Sequence, residues 1–197
     1  MYLDNDICKE GNPLLRVKCS EVTIPLNSSD LDCLKQLLQY LIISENEELA
    51  KQYNIRPGVG IAASQVGVTK RMFAMNCVDF LDEKQTKYTY CLVNPKIVAH
   101  SEEMTYLPGG EGCLSVIRDT SGYVVPRYYS IKFKSYVYDF KANKVKFVTK
   151  VLSGYPAIVF QHEYDHLDGI LFVDKMVKVE DTKALPLYEV KEEDEGK

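Results

Sequence analysis

Leu31, Leu34, Leu37, Leu38, Leu41 and Ile42 recur every three or four positions, the period of one helix face. Ser28 or Ser29 stands where that helix needs a cap, and its end is expected near Ser44. Residues 45–56 are charged and read as a further helical turn or a surface insertion, while residues 1–28 read as irregular or extended. From Lys70 the texture changes. Segments 72–76, 88–93, 96–100, 130–140 and 144–152 are rich in β-branched and aromatic residues and broken by polar turns, which predicts strands. Ala142-Asn143 fits a hairpin turn between the last two. Gly154-Tyr155-Pro156 then opens a second helix over 157–167, stopped by Gly169. Helix, strands, helix in that order predicts an α+β fold, with antiparallel or mixed sheets around one central helix.

That second helix carries His162-Glu163-Tyr164-Asp165-His166. Residues four apart lie one above the other on a helix, so both imidazoles can close on one metal ion. Glu163 between them can reach a water on that metal, the general-base geometry of metal-assisted hydrolysis. A pair of surface histidines beside a surface glutamate is the plainer reading. Against it, two of the chain's three histidines fall here.

A catalytic site needs a third protein ligand and one position left for water. In one peptidase class the motif continues to a third histidine, but that position is Phe172. His100 lies in a strand segment beside acidic neighbours and reads as a surface residue. A distal glutamate serves a second peptidase class, and Glu180 or Glu189 could fill that role from an acidic stretch. Cys113 is the better candidate, in the glycine-rich turn Gly109-Gly110-Glu111-Gly112-Cys113-Leu114-Ser115. A thiolate with two imidazoles suits iron(II), zinc, nickel or cobalt. A zinc endopeptidase and a closed structural metal site remain the rivals; the second leaves Glu163 without a purpose.

The bulk numbers narrow the setting. A chain of 197 residues with 46% hydrophobic and 26% charged content is expected to form one globular domain over 1–179. Residues 180–197, with seven acids against three lysines, are expected to be a solvated, flexible tail. A net charge of −4 argues against a chain that wraps DNA or coats an anionic membrane. No run approaches the length of a membrane span. No signal-like segment opens the sequence, and no two of its six cysteines have Cys-x-x-Cys spacing. Reduced thiols and a cytoplasmic location are the expectation.

A third segment, Gly58-Val59-Gly60-Ile61-Ala62-Ala63-Ser64-Gln65, superficially fits a dinucleotide-binding turn, but Ile55-Arg56-Pro57 is not the apolar strand such a turn follows. It reads instead as close-approach backbone, with Gln65 able to aim an amide donor at a reacting centre.

Together the three segments resemble the peptide deformylase family. Gly-φ-Gly-φ-Ala-Ala-x-Gln (φ apolar) stands at 58–65, Glu-Gly-Cys-φ-Ser at 111–115, and Gln-His-Glu-x-Asp-His-φ-x-Gly at 161–169. Asn12-Pro13-Leu14-Leu15-Arg16, Asn94-Pro95 and Leu171-Phe172-Val173-Asp174 extend the likeness across about residues 10–176. The insertion at 45–56 and the spacer at 116–125 are similar to the Gram-positive-type class. The resemblance implies that Cys113, His162 and His166 hold one divalent metal, iron(II) physiologically, with zinc, nickel or cobalt as replacements. It implies Glu163 as general base and acid, and Gln65 with the Leu114 N–H as oxyanion donors. Val59, Gly60, Gly112, Tyr155, Ile158 and Val159 would bind the substrate, and Glu111 with Arg127 would form an ion pair steadying the cysteine loop. The implied substrate is a formyl-methionyl peptide on the nascent chain at the ribosome. Between Arg127 and Lys150, seven basic residues and one acid alternate with aromatics. They read as the solvated face of amphipathic strands, or as a patch for transient contact with ribosomal RNA.

Overall fold

The computed structural model describes residues 1–189. Helix α1 (Ser28–Ser44) leads into a short α2 (Glu47–Tyr53), then β1 (Gly60–Ala62), β2 (Met72–Val78) and β3 (Lys87–His100). Strands β4 (Met104–Tyr106), β5 (Tyr123–Val124) and β6 (Arg127–Tyr128) precede the hairpin β7 (Ser130–Asp139) and β8 (Lys144–Ser153). Helix α3 (Tyr155–Leu167) follows, then β9 (Val177–Lys178) and β10 (Leu185–Pro186). Five strands form an antiparallel sheet in the order β1-β2-β3-β7-β8. β4 joins β6 antiparallel and β10 parallel, and β5 pairs with β9. The expected α+β architecture is observed, with α3 buried along most of its length.

The period-two pattern of β2 explains how the sheet serves two helices. Met72 and Ala74 point into the cluster containing Leu34, Leu37 and Leu41 of α1. Phe73, Met75 and Cys77 point into the cluster containing Ala157, Val159 and Phe160 of α3. A strand covered on both faces reads as an unbroken apolar run, which is how Met72–Cys77 looks apart from Asn76.

Local chemistry moves several expected boundaries. Asn27, not Ser28 or Ser29, caps α1, its side chain accepting from the Asp30 N–H at 2.9 Å. The charged 45–56 segment holds a real helix, capped by Asn46 and ended by Asn54 in the left-handed region. The two expected strands at 88–93 and 96–100 are one strand with a register shift at Asn94 and Pro95. Asn94 takes a φ of 49°, and its side chain bonds both the N–H and the carbonyl of Val22. Within the segment expected as a tail, Leu185–Pro186 add to β4 and Tyr188 packs edge-on against Phe80 at 5.6 Å. The acidic end over 190–197 lies outside the described residues.

All six cysteines are free, and Cys19, Cys33, Cys77 and Cys91 are buried. Burial pushes the Cys77 and Cys91 thiols up to about 12. In metal-free native protein at pH 8, a thiol-reactive disulfide dye should label only Cys8 and Cys113 rapidly, and all six after unfolding. Fast labelling of more than two would contradict this packing.

Candidate active site

Three segments distant in sequence meet at one cavity of about 490 Å³. β1 and the 3-10 turn after it bring Val59, Gly60 and Gln65. The loop after β4 brings Glu111, Gly112, Cys113 and Leu114, and α3 brings Tyr155, Ile158, Val159, His162 and Glu163. Of the twelve site residues expected from sequence, only His166 does not line the cavity; it lies 1% exposed beneath it. Arg56, Pro57, Leu107 and Val116 also line the wall, and no periodicity or motif had singled them out.

The ligand atoms of Cys113, His162 and His166 all lie within 4.8 Å of one another, and Cys113 Sγ stands 3.4 Å from His166 Nε2. Two ligands of one tetrahedral ion, at ordinary metal–sulfur and metal–nitrogen lengths, stand roughly 3.6 Å apart. The donor set therefore fits a metal ion. His162 Nδ1 is engaged by Glu111 Oε2 at 2.8 Å, which leaves Nε2 to face the cluster. Burial, and then the charges of His162 and Arg127, hold His166 neutral, the form in which imidazole binds a metal. Burial works against a charge on His162, but Cys113 and Glu111 outweigh it and raise its affinity for a proton. Surroundings that favour a proton there favour any cation.

Among the described residues no other group of this kind forms. Glu180 is exposed beside Lys178, Glu189 is exposed, and His100 stacks on Tyr128 with ring centres 3.6 Å apart.

A chain of charges supports His162 from behind. Glu111, lowered to about 2, resists burial because Arg127 and then His162 favour its charged form. Arg127 donates to both Glu111 oxygens at 2.8 and 2.9 Å and to Asp165 at 2.5 Å. Lys175 closes the far end on Asp165 at 2.7 and 2.8 Å. The Glu111–Arg127 pair was implied by the family resemblance; Asp165 stands in the third motif but without an assigned partner, and nothing local marks Lys175. Gln161 holds α3 to β6 through the Tyr128 N–H and carbonyl at 3.0 and 2.9 Å.

Glu163 is buried at the cavity wall, and its Oε2 has no hydrogen-bond partner. Burial pushes its carboxyl up to about 7. Gly60 faces it: a Cβ there would stand 2.4 Å from Glu163 Oε1, so only glycine leaves the carboxylate its place. The Gln65 amide is fixed at both ends, Oε1 accepting from the Ala62 N–H at 2.9 Å and Nε2 donating to Ser115 Oγ at 3.0 Å.

An α+β fold that gathers a thiol, two imidazoles and a bare carboxylate at one cavity defines a hydrolase built around a single metal ion. The model of the polypeptide deformylase family matches residues 5–182. The chain belongs to that family. It is 48% identical over 176 residues to peptide deformylase 2 of Geobacillus stearothermophilus, covering 89% of this chain and 91% of the relative. It is 46% identical to the peptide deformylase of Halalkalibacterium halodurans, covering 89% and 92%. A Met-Ala-Ser-bound class I type b peptide deformylase of Acinetobacter baumannii superposes with a TM-score of 0.64 at 32% identity, over 86% of this chain and 96% of that one.

Arg127→Met leaves two buried carboxylates short of a partner and should destabilise the protein by about 3–5 kcal/mol in urea unfolding. A loss below about 1 kcal/mol would show that the cysteine loop stands without this ion pair.

Proposed function

We propose that the chain hydrolyses the formyl group from the N-terminal formyl-methionine of nascent polypeptides, releasing formate and a free amino terminus. The observation that carries this reading is the convergence of Cys113, His162, His166 and the unpartnered Glu163 carboxylate on one cavity beside an open strand edge. β1 is the edge strand of the five-stranded sheet, so its outer side is free to pair with an extended peptide. Gly60 and Gly112 give that peptide close backbone approach, and Val59, Tyr155, Ile158 and Val159 form an apolar wall for a methionine side chain. The Acinetobacter relative, solved with Met-Ala-Ser bound, supports a substrate that begins with methionine.

Cys113, His162 and His166 would hold one divalent ion; we assign iron(II), with zinc, nickel or cobalt as replacements suited to the same donors. Such an ion lowers the pKa of a bound water, to about 7 in well-studied zinc sites, and polarises a carbonyl oxygen. Glu163 takes the proton of the attacking water and passes it to the departing amine nitrogen. Gln65 is held by Ala62 and Ser115, and its second amide hydrogen, which rests 3.6 Å from Cys113 Sγ, would turn to the developing oxyanion alongside the Leu114 N–H. One such donor typically contributes about 3–4 kcal/mol. The endopeptidase rival loses its ligand, since Glu180 stands in solvent.

Cytoplasm is the compartment we assign, supported by six free thiols; no described helix is long and apolar enough to cross a membrane. We assign transient ribosome contact to the β7–β8 hairpin. Arg127 is buried and leaves that patch, but Lys132, Lys134, Lys141, Lys144, Lys146 and Lys150 are all exposed. Reversing the charges of Lys144 and Lys146 should weaken co-sedimentation with ribosomes at low salt; unchanged co-sedimentation would remove the contact.

The central test is anaerobic formate release from formyl-Met-Ala-Ser with metal content assayed in parallel. Cys113→Ala should lose metal and activity together. Glu163→Gln should keep the metal and lose at least about a hundredfold in turnover. A Cys113→Ala protein that retains both would move the third ligand elsewhere.

A further inference from the structure

Residues 4–10 run along the back of the cysteine loop, and the sequence motifs gave them no part in the site. Arg56 Nη2 donates to the Leu114 carbonyl, and Lys9 Nζ donates to the same oxygen at 3.4 Å. Both cations are gathered by Asp4: Arg56 Nε lies 2.7 Å from Oδ1 and Lys9 Nζ 3.1 Å from Oδ2. The peptide group that owns this carbonyl also owns the Ser115 N–H, which donates to Cys113 Sγ at 3.4 Å. Two further backbone bonds fix the same stretch: the Glu10 N–H donates to the Ser115 carbonyl, and the Cys8 N–H to the Gln65 carbonyl, each at 2.7 Å.

We propose that Asp4, Lys9 and Arg56 form a cationic clamp on the Leu114–Ser115 peptide that polarises its N–H toward the Cys113 sulfur and fixes the loop bearing the Leu114 N–H. This rests on the reading of Cys113 as a metal ligand. Positive charge on a peptide oxygen draws electron density from its nitrogen and makes the N–H a stronger donor. A stronger donor to a thiolate withdraws charge from the sulfur, the kind of outer contact that tunes a metal site. The clamp is a charge device as well as a brace, because two cations meet one neutral oxygen and are balanced by one carboxylate. Its members are positioning residues. Asp4 and Lys9 do not line the cavity, so they act on the chemistry only through the loop.

The test uses the full chain loaded with cobalt(II), read by its thiolate-to-cobalt absorption band and by kcat and KM for formyl-Met-Ala-Ser. Lys9→Met and Arg56→Met should each shift the band to lower energy, with Arg56→Met the largest and Arg56→Lys partly restoring it; Asp4→Asn should shift it the same way because it frees both cations from the Leu114 carbonyl. Turnover in Asp4→Asn and Lys9→Met should fall by up to about tenfold with KM little changed. Dissociation of cobalt to a competing chelator should be faster in each Met variant than in wild type. Folded variants with an unmoved band and wild-type kcat would overturn the clamp. If wild type shows no thiolate band, the assignment of Cys113 as ligand fails first, and the clamp falls with it.

Discussion

The buried guanidinium of Arg127 is the constraint on which the site depends. A charge at 2% exposure is tolerable only when fully paired, and Arg127 reaches Glu111 with Nε and Nη2 and Asp165 with Nη1. Those partners belong to the two segments that supply the cluster of Cys113, His162 and His166. Glu111 stands two residues before Cys113, and Asp165 lies between the two histidines of α3. Satisfying one buried charge therefore also sets the distance between thiol and imidazoles. A lysine could not replace it, because a point charge cannot bridge two carboxylates with the planar fork that the geometry uses. Glu111 serves twice, since the oxygen that accepts from Arg127 Nη2 also orients His162.

Placing such a network indoors requires α3 to be buried on nearly every side, and the sheet makes that possible. β2 packs Phe73 against Phe160, ring centres 5.2 Å apart, while β1 lays Gly60 directly over Glu163. The missing side chain at position 60 is thus a packing requirement before it is a substrate-binding feature. Burial then does chemical work. Buried at the cavity wall, with one oxygen unpartnered, Glu163 is kept from the low pKa of an exposed carboxylate.

Legibility in the sequence follows how local each signal is. The α3 pair was readable because its geometry is contained in five residues, and the strands were readable from their period and texture. Cys113 could be ranked first among possible ligands but not placed, since the 48 residues between it and His162 say nothing of distance. The parts played by Asp165, Lys175 and Arg56 went unseen because each depends on a partner brought near only by folding. Small polar contacts defeated the boundary estimates: Asn27 outcompeted its serine neighbours as a cap, and Asn94 tied to Val22 joined two apparent strands into one. The segment after Glu180 has the composition of a solvated tail, and composition alone does not reveal that Leu185–Pro186 pair with β4 or that Tyr188 meets Phe80.

The same contrast between composition and placement sorts the six cysteines. Cys19, Cys33, Cys77 and Cys91 are small apolar fillers whose thiols burial pushes up, so ionising them is costly. Cys113 belongs to a different environment: it receives the Ser115 N–H, lies 3.6 Å from the Gln65 amide, and faces two imidazoles. These are groups that can donate to the sulfur or share a metal ion with it. The fold thus buries four thiols as fillers and sets Cys113 among donor groups in a cluster able to hold a metal ion. Selectivity among chemically identical side chains here is a matter of which backbone N–H, amide and imidazole groups the tertiary structure brings to the sulfur.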